Sequence, residues 1–186
     1  MSPISRRVAL ASLGIGLAAE LLPRAASATL VRGMSLQELV SRSRHAIVGT
    51  PLEARCRYLA LGGRRMLITE TRLRIESALG LEPPGQTEVL IRTLGGVLDG
   101  AGEIVHGQAE LERNKLCVVF LERDAEAACW ITGMAEGHYP LAEAELILRP
   151  SPQLPTIRDW QQSAVKRLVG TRLDEARRLI AGVKSR

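Results

Sequence analysis

Gly62-Gly63 divides two long strand-forming stretches, and this commits the middle of the chain to an antiparallel hairpin. Glycine tolerates the positive φ that tight hairpin turns need. The hairpin runs from Gly49 to Gly80, with one arm ending near Leu61. On the return arm, Met66 to Glu76, Leu73 and Ile75 face inward and Arg72, Arg74 and Glu76 outward. That two-residue period is the mark of a half-buried strand.

The flanking segments extend the same pattern. Ser35-Leu36-Gln37-Glu38 is a capping box, in which the serine side chain accepts from the third helical amide and the glutamate reaches back. It predicts a short helix from Leu36 to about Ser43 that buries Leu36, Leu39 and Val40. A strand starts at His45. Pro83-Pro84-Gly85 breaks the chain, and Glu88 to Thr93 gives a further strand with Val89 and Ile91 on one face. The apolar run Leu116 to Leu121 predicts a central strand, turned by Glu122 to Glu126 and returned by Ala128 to Thr132. Two short strands follow near His138–Pro140 and Glu145–Leu148. Pro150, Pro152 and Pro155 form a stiff link. Beyond it, Thr156 and Thr171 are expected to cap two amphipathic helices, one carrying Ile157, Trp160, Ala164 and Leu168, the other Leu173, Ala176, Leu179, Ile180 and Val183.

Short strands with Gly and Pro turns and few helices predict a mainly β protein. The expected fold is a small OB-like β-barrel with a short N-terminal helix and a C-terminal helical hairpin. Three segments are expected: an export signal over 1–28, a β-barrel domain over 29–150, and a proline linker with amphipathic helices over 151–186.

Residues 1–28 read as an address. Ser5-Arg6-Arg7 precedes an apolar run from Val8 to Ala19, and Ala26-Ser27-Ala28 is a small-residue cleavage signature. The segment resembles bacterial twin-arginine signals through Ser5, Arg6, Arg7 and Leu10, while Ala9 and Ala11 depart from the usual Phe and Lys. An ordinary secretory signal is the rival reading. The expected location is periplasmic or secreted. Retention as an uncleaved membrane anchor is disfavoured, because the run is shorter than the ~20 apolar residues a span needs.

Charge and composition narrow the function. Net charge is +5 overall, and residues 158–186 hold eight basic and three acidic groups. The basic tail implies a solvated helix face or contact with an anionic surface such as lipid headgroups. With only one Phe, two Trp and two Tyr, the chain lacks the aromatic platforms of sugar-binding faces and single-stranded nucleic-acid binders. No nucleic-acid partner is expected. Cys56, Cys117 and Cys129 follow no zinc-ligand spacing. Cys117 and Cys129 fall on adjacent strands, where register decides between a bridge and buried free thiols.

The glycine-rich stretch Gly95 to Gly107 is the candidate site. Gly95 and Gly96 offer backbone amides to an anion, and Asp99, Glu103 and His106 are candidate ligands of a metal ion. Glycines at a corner of a barrel are the structural alternative. The stretch lacks the Lys and Ser/Thr of a phosphate-binding P-loop. His45 is expected at the surface and His138 at a turn or strand end. The carboxylate pairs Glu110/Glu112 and Glu143/Glu145 suit an outer solvated face, with acid–base work the alternative. No nucleophile elbow or metalloprotease helix motif is present.

In strand order and glycine placement, residues 40–135 resemble uncharacterised exported bacterial proteins and, more distantly, the netrin-like modules of metalloproteinase inhibitors. The carrying residues are His45–Gly49, Ile68–Ile75, Leu79-Gly80, Val89–Arg92, Gly95-Gly96 and Leu116–Leu121. The resemblance implies an OB-like barrel. The inhibitors' mechanism does not carry over, since Thr29 stands where they begin with cysteine. The expected function is a non-enzymatic exported binding domain, partnered by an envelope protein or an anionic surface. A metal-dependent or hydrolytic enzyme using the Gly95–Gly107 loop is the alternative, and the cofactor is unknown.

Overall fold

A computed structural model describes residues 30–81, 85–124, 128–142 and 144–184. The address at residues 1–28, Pro83-Pro84 and Glu143 lie outside the described residues.

The capping box forms as expected. Ser35 Oγ accepts from Glu38 N–H at 3.1 Å, and Glu38 Oε2 accepts from Ser35 N–H at 2.9 Å. It starts α1 (Leu36–Arg42), which buries Leu36, Leu39 and Val40. The hairpin arms are β2 (His45–Leu61) and β3 (Arg64–Ala78), preceded by β1 (Leu30–Val31). Then come β4 (Glu88–Leu94), a small hairpin of β5 (Gly96–Leu98) and β6 (Ala101–Glu103), β7 (Cys117–Arg123) and β8 (Cys129–Ile131). The chain closes with β9 (His138–Ala142), β10 (Ile147–Leu148), β11 (Thr156–Ile157), α2 (Ala164–Leu168) and α3 (Leu173–Lys184).

The expected mainly β class is what the structure shows, with a short helix near the start and helices at the end. The main sheet runs β10-β9-β7-β2-β3-β4-β8, and β7 also pairs with β8, so five strands complete a ring. All its ladders are antiparallel except β4–β8. Register shifts between Val48 and Gly49 and between Pro51 and Glu53 bend β2, as bulges do where a sheet curls.

Two cores lie on opposite faces of β2 and β7. Ile47, Leu73, Val89, Ile91, Val119 and Leu121 fill the ring. Val48, Val118 and Phe120 face the other way, under Leu39, Leu168 and Ile180 of the helices. Burial on both faces explains why β7 reads as a continuous apolar run.

The C-terminal helices begin differently from expectation. Thr156 does not cap a helix; with Ile157 it forms a strand parallel to β1. Ser163 caps α2, accepting from Lys166 N–H at 3.1 Å. The Thr171 hydroxyl donates to Leu168 O at 2.7 Å. Alanine and leucine spacing is blind to this, because a serine seven residues later competes as cap. Both helices pack on α1, and α3 buries Ala176 and Ile180.

Candidate functional site

The inward face of β3 continues from Leu73 to Thr71 and Thr69. Register sets Thr69 opposite Thr93 on β4 and Cys56 on β2, and Thr71 opposite Ala54. Where the ring's apolar filling ends, its floor turns to hydroxyls. A groove of about 540 Å³ opens there, within the range of small-ligand sites and at the mouth of the ring, where such sites occur.

Val97, Glu103 and Ile104, from the β5–β6 hairpin and the segment after it, line the groove together with Gln108, Glu110 and Gln153. The hairpin stands where the sequence suggests only an irregular loop. Thr69 pins it by donating to Gly95 O at 2.8 Å. A Cβ on Gly96, at φ 135°, would fall on Thr69 Oγ1 and Cys56 Sγ; one on Gly95, at φ 86°, would lie 2.6 Å from Glu103 O. The glycines therefore let the hairpin cross the ring floor closely. The Gly95 N–H already donates to Leu67 O at 2.8 Å, and the groove carries two carboxylates and no lysine or arginine. This surface does not suit an anion.

Of the candidate residues, Gly95, Gly96 and Glu103 line the groove, while Asp99 and His106 do not. Asp99 occupies the β5–β6 turn at φ 53°, and His106 is exposed beyond the hairpin. Among the described residues, no three His, Cys, Asp or Glu side chains are placed to hold one metal ion.

Thr71 and Thr93 are the residues that the sequence reading missed. They are 4% and 6% exposed and line the groove. Neither hydroxyl has a hydrogen-bond partner among the described residues. The signal was available, because the two-residue period through Leu73 and Ile75, carried back, turns Thr71 and Thr69 inward.

A polar chain connects the groove to the interior. Glu110 Oε2 accepts from Gln153 Nε2 at 2.7 Å, Gln153 Oε1 accepts from the Ser151 hydroxyl at 3.4 Å, and Ser151 Oγ lies 3.2 Å from His138 Nδ1. His45 is buried, against the expectation of a surface position, and His138, at the expected strand end, is buried as well. Each begins a strand that pairs with β7, so the sheet encloses them. Burial pushes the His138 imidazole down from 6.5 to about 4, against the opposing charge of Glu112. Ser151 is itself enclosed, at 4% exposed, so the pair satisfies buried polar groups rather than presenting a nucleophile.

Glu110 and Glu112 are engaged by separate partners, and the other pair includes Glu143, outside the described residues. Glu110 is held by Gln153, and Glu112 pairs with Lys115. All three cysteines are free. Cys129 stands opposite Arg123 in the β7–β8 ladder, six residues along from Cys117, which removes the bridge. Burial pushes the Cys117 thiol up to about 12. On the far side of the molecule, Arg158, Lys166, Arg167, Arg172, Arg178 and Lys184 are exposed. No helix among the described residues is long and apolar enough to cross a membrane.

Comparison with known proteins finds no matching family model, no matching curated protein and no matching solved structure.

Proposed function

We propose that the chain is a non-enzymatic binding domain, addressed to the bacterial cell envelope by residues 1–28, and that it holds its ligand in the groove beneath the β5–β6 hairpin. One observation carries this reading: Thr71 and Thr93, largely enclosed as residues, line the groove, and their hydroxyls make no hydrogen bond among the described residues. Hydroxyls left open to a groove in this way are available to a ligand or an ordered water. The groove lining has no Ser, Cys, His or Lys, which favours holding over bond-breaking. The netrin-like resemblance supports the same use, since OB-type barrels bind through one face and its loops.

Amide chemical-shift mapping with a mixed library of charged and neutral fragments tests the reading. Shifts should concentrate at Thr69–Thr71, Thr93–Val97 and Glu103–Leu111. Thr71→Val and Thr93→Val, close to isosteric, should weaken the strongest fragment severalfold while leaving the spectrum folded. Shifts confined to the helices or the outer strand face would discard the groove.

A further inference from the structure

We infer that the groove selects an aliphatic ammonium group, free or carried on a lysine side chain; this rests on the groove being the binding site. Its lining combines three features that suit such a group together. The first is charge. Among the described residues, Glu103 and Glu110 are the only ionisable side chains lining the groove, so the fixed charge they bring is negative. Glu110 is partly satisfied by Gln153. Glu103 has neither an ion pair nor a side-chain hydrogen bond among the described residues.

The second feature is the pair of unengaged acceptors. An ammonium presents three donors and no acceptor, and hydroxyls and carboxylates all accept from it. Thr71 and Thr93 are more than nine-tenths buried as residues and line the groove, and their hydroxyls make no hydrogen bond among the described residues. They give a cation acceptors on the groove floor, and bonds to a cation are the stronger, charge-assisted kind. The third feature is the apolar part of the lining. Leu94, Val97, Ile104 and Leu111 line the same groove. Val97 and Ile104 are 67% and 84% exposed, unusual for aliphatic side chains on so small a hairpin. They offer cover to a methylene stem, as apolar surface does for the stem of lysine. A carboxylate or phosphate would meet two like charges and no cation, and a neutral alcohol would leave Glu103 without a counter-charge.

Calorimetric titration of the full chain tests this with four probes of matched stem: 1,5-diaminopentane, pentan-1-ol, pentanoate, and a capped five-residue peptide with one central lysine. The amine or the lysine peptide should bind at least ~10-fold tighter than the alcohol, and pentanoate should not bind. The tighter of the two amine probes identifies the source. Raising salt should weaken the amine. Glu103 is exposed, so Glu103→Gln leaves folding intact. It should cost the amine about 10-fold, as expected for a charge-assisted contact, while leaving the alcohol unchanged. Equal affinity for amine and alcohol, with both weakened by Thr93→Val, would overturn the cation preference and leave the groove standing as the site. Tighter binding of pentanoate, or no heat with any probe, would also overturn it. Fragment mapping then decides the groove separately.

Discussion

At the scale of single residues, the least expected feature is how many polar groups the ring and its flank enclose. Thr71, Thr93, His138 and Ser151 are all more than nine-tenths buried. His138 has a measurable consequence. Its imidazole titrates at about 4 in the fold against 6.5 ordinarily, because burial disfavours the charged ring. Between those values the unfolded chain takes up a proton that the folded chain refuses. The contribution of His138 is therefore complete above pH 6.5 and is lost as pH falls towards 4. The full effect is roughly 3 kcal/mol. Urea unfolding at pH 7 and pH 4.5 should show a smaller loss of stability in His138→Gln than in the parent. An equal loss in both would mean that His138 is charged or exposed in the native state. Residue identities alone did not reveal this burial. A histidine opening a strand looks like an edge residue until the partners of that strand are known.

Among elements, the ladders differ greatly in length. Fourteen residue pairs join β2 to β3, whereas the β4–β8 ladder that completes the ring has two, Ile91 with Cys129 and Arg92 with Trp130. The side chain of Asp124, just after β7, holds the start of β8, accepting from Ala128 N–H at 2.9 Å and from Trp130 Nε1 at 2.8 Å. Short ladders open at lower free energy than the elements around them. Native-state hydrogen exchange should therefore find the amides of β8 less protected than those where β2 meets β7. Uniform protection around the ring would show that it opens only as a whole. Strand existence was legible for β2, β3, β4 and β7 because their alternation or apolar runs are long. The β5–β6 hairpin was not, because glycine-rich residues carry no periodicity and the hairpin is defined by what it crosses. Likewise Ile157 and Trp160 have helical spacing, but β1 offers the backbone around Thr156 a parallel partner.

On the scale of the whole molecule, the helices and the ring share β2 and β7 as a common wall, so the C-terminal helices belong to the same packing as the sheet. If the proposed export holds, a chain built in this way would cross as one folded unit by the route that the Arg6-Arg7 resemblance implies. Under the proposed envelope location, fractionation should recover the parent chain outside the cytoplasm, and a double Arg6→Lys, Arg7→Lys variant should stay inside. Export of that variant at the parental level would assign the segment to the general secretory route. The candidate site was half legible at this scale. The sequence pointed to the stretch that roofs the groove. The floor comes from β2, β3 and β4, and only register brings those positions under the same roof.

Gln153 stands between Pro152 and Pro155, in the segment that leads from the sheet to the last helices. It donates to Glu110 at the groove and links inward through Ser151 to His138. The groove is lined by both the hairpin and Gln153, so an occupant would touch both. By mass action, an occupant that favours this closed arrangement also raises the free energy needed to pull it apart. Occupancy would then work as a clasp, fastening the segment that leads into the last helices to the strands that precede it.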